Sequence, residues 1–285
     1  MSAILSMQSH LVYGHGGNSS SVFPIQRLGV EVWPININQY SNHISSPSGY
    51  QGQEYTESDI SELVAGLIKL GNTEQCSALL SGYLSDEQQC RAVVDTLETL
   101  HENNPKLKYI CNPVIGDSFH GQIVSDEVKV AIVTDLLPRA YAITPNRFEL
   151  SVLTGMPVDN TDQVIKACHK MLELGPKAVF VKTVDFEDDR QLFMMVATQK
   201  ACYLMREPLT KSCLSSLGLG DLIAALIAAG IVKNLSPTQV LQATFNAAYG
   251  LLELTQDSGC QELQLIAGQD EINNPSHHFP LKKIA

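Results

Sequence analysis

From Ala3 to Val184 the chain alternates short apolar runs with helical stretches. The runs Ala3–Met7, Glu31–Asn36, Ala78–Leu84, Leu107–Cys111, Ala140–Thr144 and Ala178–Val184 have the length and composition of buried strands. The stretches between them carry helix punctuation. A helical segment to Leu28 is closed by Gly29, and Thr56 or Ser58 caps a helix ending at Leu70-Gly71. Ser85-Asp86-Glu87 opens a helix to about His101, and Ser125-Asp126-Glu127 opens one that stops near Pro138. Pro145-Asn146 begins a short helix through Leu153, and Thr161 caps one to Leu174. Leu192–Thr198 and Cys202–Arg206, with Gln199-Lys200 between them, predict an antiparallel hairpin. This order predicts an α/β fold: a mostly parallel central sheet, helices on both faces and antiparallel strands at an edge. Ser236-Pro237 then starts a helix to about Thr255, and the polar tail from Asn273 is predicted to be irregular. Residues 37–56 are polar without a helical period, which predicts a flap or a small edge hairpin. With no internal repeat and no low-complexity linker, residues 1–285 are expected to form a single domain.

Composition narrows the partners. The net charge of −11 disfavours nucleic acid and anionic membranes, so an anionic ligand needs a local positive site. The longest apolar run, Leu222 to Val232, is too short to span a bilayer. The Met1–Ser6 start lacks the basic and apolar regions of a signal peptide. Seven cysteines, none in a C-x-x-C pair, fit scattered thiols in a reducing cytoplasm better than disulfides or zinc.

One junction stands out chemically. Gly218-Leu219-Gly220-Asp221 runs directly into an Ala/Leu/Ile helix. Glycines let backbone N–H groups approach a ligand, and the helix start adds partial positive charge, so the junction is a candidate anion hole with Asp221 as a general base. A plain glycine turn with Asp221 in the first helical turn satisfies the same residues. The early Tyr13–Asn18 loop lacks the third glycine of a dinucleotide fingerprint, since Ser19 stands there. In open parallel sheets ligands bind beyond the carboxyl ends of the strands. Polar residues gather at those ends: Gln8-Ser9-His10, Gly82-Tyr83, Asn112-Pro113, Thr144-Pro145-Asn146 with Glu149, and Lys182-Thr183, joined by Asn42-His43 of the flap. Tyr83 has the shape to stack a flat ring or to fill the core, and Lys182 to pair with phosphate or to remain solvated.

Several blocks together carry a resemblance. They are Met7–Asn18 (MQSHLVYGHGGN), Phe23-Pro24, Ser41-Asn42-His43, Leu80–Leu84, Asn112–Gly116, Thr144–Leu150 and Gly218–Asp221. Across nearly its whole length the chain resembles the pyridoxal kinases of the ribokinase-like superfamily, in their shorter bacterial form. The first block is specific to that family, whereas the Asn-x-x-Glu and Gly-x-Gly-Asp motifs are shared across the superfamily.

The resemblance implies transfer of the ATP γ-phosphate to the 5′-hydroxyl of pyridoxal, with magnesium, in a cytoplasmic homodimer. It places Ser9 on the pyridine ring and His43 and Tyr83 in the same pocket, with Ile44 and Ser45 as flap contacts. It implies that Asn146 and Glu149 organise magnesium and its waters. Asn112, Thr144, Lys182 and the Pro208-Leu209-Thr210 segment would face ATP, Gly218 and Gly220 would supply the anion hole, and Asp221 would take the hydroxyl proton. The sequence departs from the family where Asp-Pro-Val reads Asn112-Pro113-Val114 and where the flap pair Thr-Gln reads Ile44-Ser45. It departs again where Leu222–Ala225 replaces a segment with a small or polar residue and a glycine. The first change implies one negative charge fewer near the metal and triphosphate. A hydroxymethylpyrimidine kinase, or a homologue that only binds pyridoxal or its phosphate, are the alternatives.

Overall fold

The computed structural model describes residues 2–185, 191–209 and 218–285. In chain order the first elements are β1 (Ala3–Leu11), α1 (Asn18–Arg27), β2 (Glu31–Tyr40), β3 (Gly52–Glu54), α2 (Glu57–Lys69), β4 (Cys76–Ser81), α3 (Glu87–Asn103) and β5 (Lys108–Cys111). Next come β6 (Gly116–Asp117), β7 (Gly121–Gln122), α4 (Asp126–Ala131), β8 (Ala142–Ile143), α5 (Arg147–Thr154), α6 (Thr161–Glu173) and β9 (Ala178–Asp185). The rest are β10 (Gln191–Ala197), β11 (Cys202–Pro208), α7 (Leu219–Val232), α8 (Pro237–Ser258), α9 (Gln269–Asn273) and β12 (Lys282–Lys283).

The main sheet has ten strands in the order β12-β11-β10-β9-β8-β5-β4-β1-β2-β3. The block from β9 to β2 is parallel, and antiparallel strands close both edges. Successive strand residues feed opposite layers, as the pleat requires. Leu5, Met7, Leu79, Val179 and Val181 join the core with α2, α3, α5 and α6. Ile4, Ala78, Leu80, Ala178 and Phe180 join the core with α7 and α8. The Ala-rich α7 is buried almost throughout, and at Gly230 an added Cβ would meet Val240 Cγ2 at 3.0 Å, so α7 and α8 touch closely.

Several elements differ from the sequence expectation for identifiable reasons. β1 continues through Gln8-Ser9-His10 rather than ending at Met7, because β2 stays paired with it across a bulge between Gln8 and Ser9. The buried Gln8 donates its Nε2 to Ser6 Oγ and Ser21 Oγ, each at 2.9 Å. β2 extends to Tyr40 and so absorbs the start of the polar segment. The remainder returns as β3, paired antiparallel at Asn38↔Glu54, which makes an edge hairpin. Thr56, not Ser58, caps α2 with a full capping box. Asn160, not Thr161, caps α6, its side chain accepting from Gln163 N at 3.0 Å. Beyond α9 the polar tail is irregular, as expected, up to the two-residue strand β12. α9 packs beside α8, Phe279 meets Phe245 and Tyr249 edge-on, and β12 pairs with β11. Among the described residues no helix is long and apolar enough to cross a membrane.

Candidate active site

The parallel strands all end at one rim, and α7 starts there. Asn112 follows β5, Thr144 follows β8, Lys182 lies in β9 and Asp221 is in the first turn of α7. The fold draws these four into one network. Asn112 Nδ2 donates to Asp221 Oδ1 at 2.9 Å. Asn112 Oδ1 accepts from Lys182 Nζ at 2.5 Å and from Thr144 Oγ1 at 3.1 Å. Lys182 Nζ also donates to Gly220 O at 2.9 Å. Asp221 Oδ2 accepts the backbone N–H of Gly17 at 2.7 Å. Asn112, Thr144 and Lys182 are buried.

The glycine loops have steric reasons to be glycine. Gly218 has φ +80°, and a Cβ there would sit 1.8 Å from His15 O. Gly17 has φ +55°, and a Cβ there would sit 2.2 Å from Ser9 O. The β1–α1 loop and the start of α7 are therefore pressed together, and Ser20 Oγ donates to Gly218 O at 2.9 Å across the contact. Among the described residues no side chain caps α7. Its first-turn N–H groups point out of the helix end, where they favour an anion.

Glu149 lies beside this network. Its Oε1 accepts Ile115 N at 3.2 Å and its Oε2 accepts Asn146 N at 2.7 Å. Burial pushes its carboxyl up to about 7, against the pull of the Lys182 ammonium. Burial likewise pushes Lys182 down, opposed by Glu149 and Asp221. Asn146 caps α5 through Oδ1 and donates Nδ2 to Gly116 O at 2.8 Å. Each Glu149 oxygen thus already holds a backbone N–H. The lone pairs left over suit water-mediated contact with a hard cation, which keeps several of its own waters.

The ring-binding candidates form a second group. Ser9 Oγ accepts from Asn38 Nδ2 at 3.1 Å, and Asn38 Oδ1 accepts from Gln89 Nε2 at 3.0 Å. His43 Nδ1 accepts from Ser45 N at 3.2 Å and lies 2.7 Å from Ser45 Oγ, so the neutral ring carries its proton on Nε2. Burial lowers the His43 pKa, opposed by Asp221 and Glu262. Ile44 is half-buried between them in sequence. Tyr83 is half-buried against the core, with its hydroxyl pushed up to about 12 by burial and by Glu54 and Tyr50 beyond.

At the far side of the rim, β11 runs parallel to β9 through the intervening β10, so Pro208 leaves the sheet at the same end as Asp185. Tyr249 OH donates to Pro208 O at 2.8 Å, and Leu209 is buried in the α7–α8 core. Thr210 lies outside the described residues.

The sequence model of the phosphomethylpyrimidine kinase family matches residues 54–256. A relative in Vibrio vulnificus, pyridoxal kinase PdxY, is 43% identical over 284 residues, covering 100% of this chain and 98% of its own. The chain belongs to the pyridoxal kinase family. Its ribokinase-like fold is shared with a pyridoxal kinase from Leishmania donovani, solved with ADP and pyridoxine, at TM-score 0.90 and 24% identity over 99% of both chains. The pyridoxal kinase from Trypanosoma brucei matches at TM-score 0.86 and 26% identity over 99% of both chains.

Within that family framework the structure adds residues that sequence reasoning missed. Glu262, on the segment after α8, accepts His15 N at 2.9 Å and packs so tightly on Gly14 that a Cβ there would meet Oε2 at 2.7 Å. Nothing local around Gly259–Leu263 signals this role. Gly17 sits in the first family block, but its N–H bond to Asp221 appears only in three dimensions. Asn38 and Gln89 were hidden, one in an apparent flap and one in an amphipathic helix.

Proposed function

We propose that the protein transfers the γ-phosphate of ATP to the 5′-hydroxyl of pyridoxal, giving pyridoxal 5′-phosphate. The observation that carries this reading is the Asp221 carboxylate, held between Gly17 and Asn112 at the mouth of an uncapped helix start. Phosphoryl transfer asks a protein mainly to position reactants and stabilise charge. The N–H groups around Gly218 and Gly220 would face the transferred phosphoryl oxygens, and Asp221 would accept the hydroxyl proton. Asn112, Thr144, Lys182, Pro208 and Leu209 would line the ATP side, with Lys182 offering its charge to a phosphate. Magnesium, when bound, would neutralise phosphate charge as the γ-phosphoryl group leaves. Glu149 and Asn146 are placed to hold its waters.

On the substrate side, Ser9, His43, Ile44, Ser45 and Tyr83 would surround the pyridine ring. A neutral His43 with its proton on Nε2 is a hydrogen-bond donor, suited to an oxygen substituent carried by the pyridine ring. The single catalytic domain is proposed as a cytoplasmic homodimer on the family resemblance. The free, buried Cys76, Cys90, Cys111, Cys168 and Cys202 support a reducing compartment.

A hydroxymethylpyrimidine kinase is the second reading, favoured by the match over residues 54–256. That match begins after the Met7–Asn18 block, where the ring-binding Ser9 and the donor Gly17 lie. Turnover of pyridoxal and of hydroxymethylpyrimidine, each with ATP and magnesium, decides between them. Pyridoxal is expected to give the higher kcat/KM by about tenfold or more, within the range one set of specific contacts supplies. The reverse order would transfer the assignment to the pyrimidine. Pyridoxal binding without turnover of either substrate would leave a binding protein.

A further inference from the structure

We propose that Asn112 is a positioning residue for the Asp221 carboxylate. This rests on the reading of Asp221 as the base. The amide's orientation is fixed by chemistry: its Oδ1 faces two donors, the Lys182 ammonium and the Thr144 hydroxyl, so its Nδ2 must face Asp221. Asn112 is 1% exposed, which keeps water from replacing these contacts. The amide therefore clamps Asp221 Oδ1 while the Gly17 N–H clamps Oδ2. One lone pair on each oxygen is left for an incoming hydroxyl.

A carboxylate at position 112 could not do the same work. It has no N–H to give, so at 2.9 Å it would set like charges face to face. It would also draw the Lys182 ammonium into an ion pair of its own, although Lys182 Nζ now anchors Gly220 O at 2.9 Å as well. The amide instead links the buried cation to the base without adding a second negative charge between them. Loss of an Asp at this position is thus matched by a gain: a donor aimed at Asp221.

The test is a double-mutant cycle between positions 112 and 221 in the full chain, measuring kcat and KM for pyridoxal at saturating ATP and magnesium. Asn112→Ala is expected to lower kcat about 10–100-fold with KM for pyridoxal within about threefold, the scale of a misplaced reacting group. Asn112→Asp is close in size to the native side chain, accepts from Lys182 and Thr144 as before, and is expected to lower kcat in the same direction. In an Asp221→Asn background either change is expected to alter the residual rate by less than about threefold, since residues acting as a unit are not additive. Losses that multiply across the cycle would overturn the proposal. So would a wild-type kcat for Asn112→Asp at saturating magnesium. Asp221→Asn with near wild-type turnover would instead overturn the reading of Asp221 as base, so the two failures are distinct. If Asn112→Ala does not fold, the Asn112→Asp arm of the cycle decides alone.

Discussion

The two halves of the site are built differently. Around Asp221 every observed partner is distant in sequence: Gly17 is 204 residues away and Asn112 is 109, while Lys182 reaches Asn112 across 70. In the flap the partners are neighbours. His43 bonds Ser45, Asn42 bonds Gly49 O at 2.9 Å, and Ser41 Oγ accepts from Gln51 N at 3.0 Å. Among the described residues, the hydrogen bonds that tie that turn to the β1–α1 loop are backbone ones such as Tyr13 N to Ser41 O. A long-range network moves only if packed elements separate, whereas a local turn shifts as a unit with its own bonds intact. The network around Asp221 is therefore fixed by the packing of separate elements. Ser9 and Tyr83 are held by β1 and the core, so within the ring-binding candidates only the flap turn carrying His43, Ile44 and Ser45 has this local bonding.

The sharpest break in that comparison is Asp221→Asn. Removing a general base is expected to lower kcat by roughly 10²-fold or more while pyridoxal affinity survives. Turnover within about threefold of wild type, alongside unchanged binding, would remove Asp221 from the chemical step.

Gly218→Ala should follow in size. At φ +80° and with His15 O in the way, alanine must either adopt a strained backbone or push the β1–α1 loop off α7. The backbone strain alone is about 1–2 kcal/mol. The expected outcome is a fall in kcat of about tenfold, with a lower melting temperature. An equal Gly218→Ala and wild-type kcat would show that the contact does not shape the anion hole.

Tyr83→Ala tests the other half. Loss of a ring stack is expected to weaken pyridoxal binding by about 0.5–1.5 kcal/mol, with kcat nearly kept. Unchanged affinity beside a reduced melting temperature would assign Tyr83 to the core, against which it also packs.

The smallest effect is a pH dependence. Burial holds the His43 pKa below its ordinary value near 6.5, with Asp221, Glu262 and Asp117 opposing and His120 adding to the shift. A histidine whose folded pKa is depressed contributes stability that is present above its unfolded pKa and lost as pH falls through the folded one. Wild type should therefore lose melting temperature faster than His43→Gln as pH drops from about 7 to about 5. A difference between the two proteins that stays constant over that window would show that His43 does not titrate with folding.

Much of the frame was legible in the chain itself. The alternation from Ala3 to Val184 determined the parallel sheet, because a strand buried on both faces must be apolar along its length and must be followed by a crossover. The hairpin at Cys202 determined an antiparallel edge. The Gly218–Asp221 junction determined a carboxylate at a helix start, since glycine placement and helix periodicity are local signals. Asn112, Thr144 and Lys182 were also legible, as residues at strand ends. Their joining was not. Which atom of Asn112 faces Asp221, that Gly17 donates to the same carboxylate, and that Glu262 braces Gly14 and His15 all depend on strands from opposite ends of the chain meeting at one rim. The tail illustrates the same limit: a polar sequence gave no strand pattern, yet pairing with β11 made Lys282–Lys283 an edge strand. Hydrophobic period records only which face of an element is buried. Hydrogen-bond partners hundreds of residues apart leave no period, so the tertiary structure alone decided them.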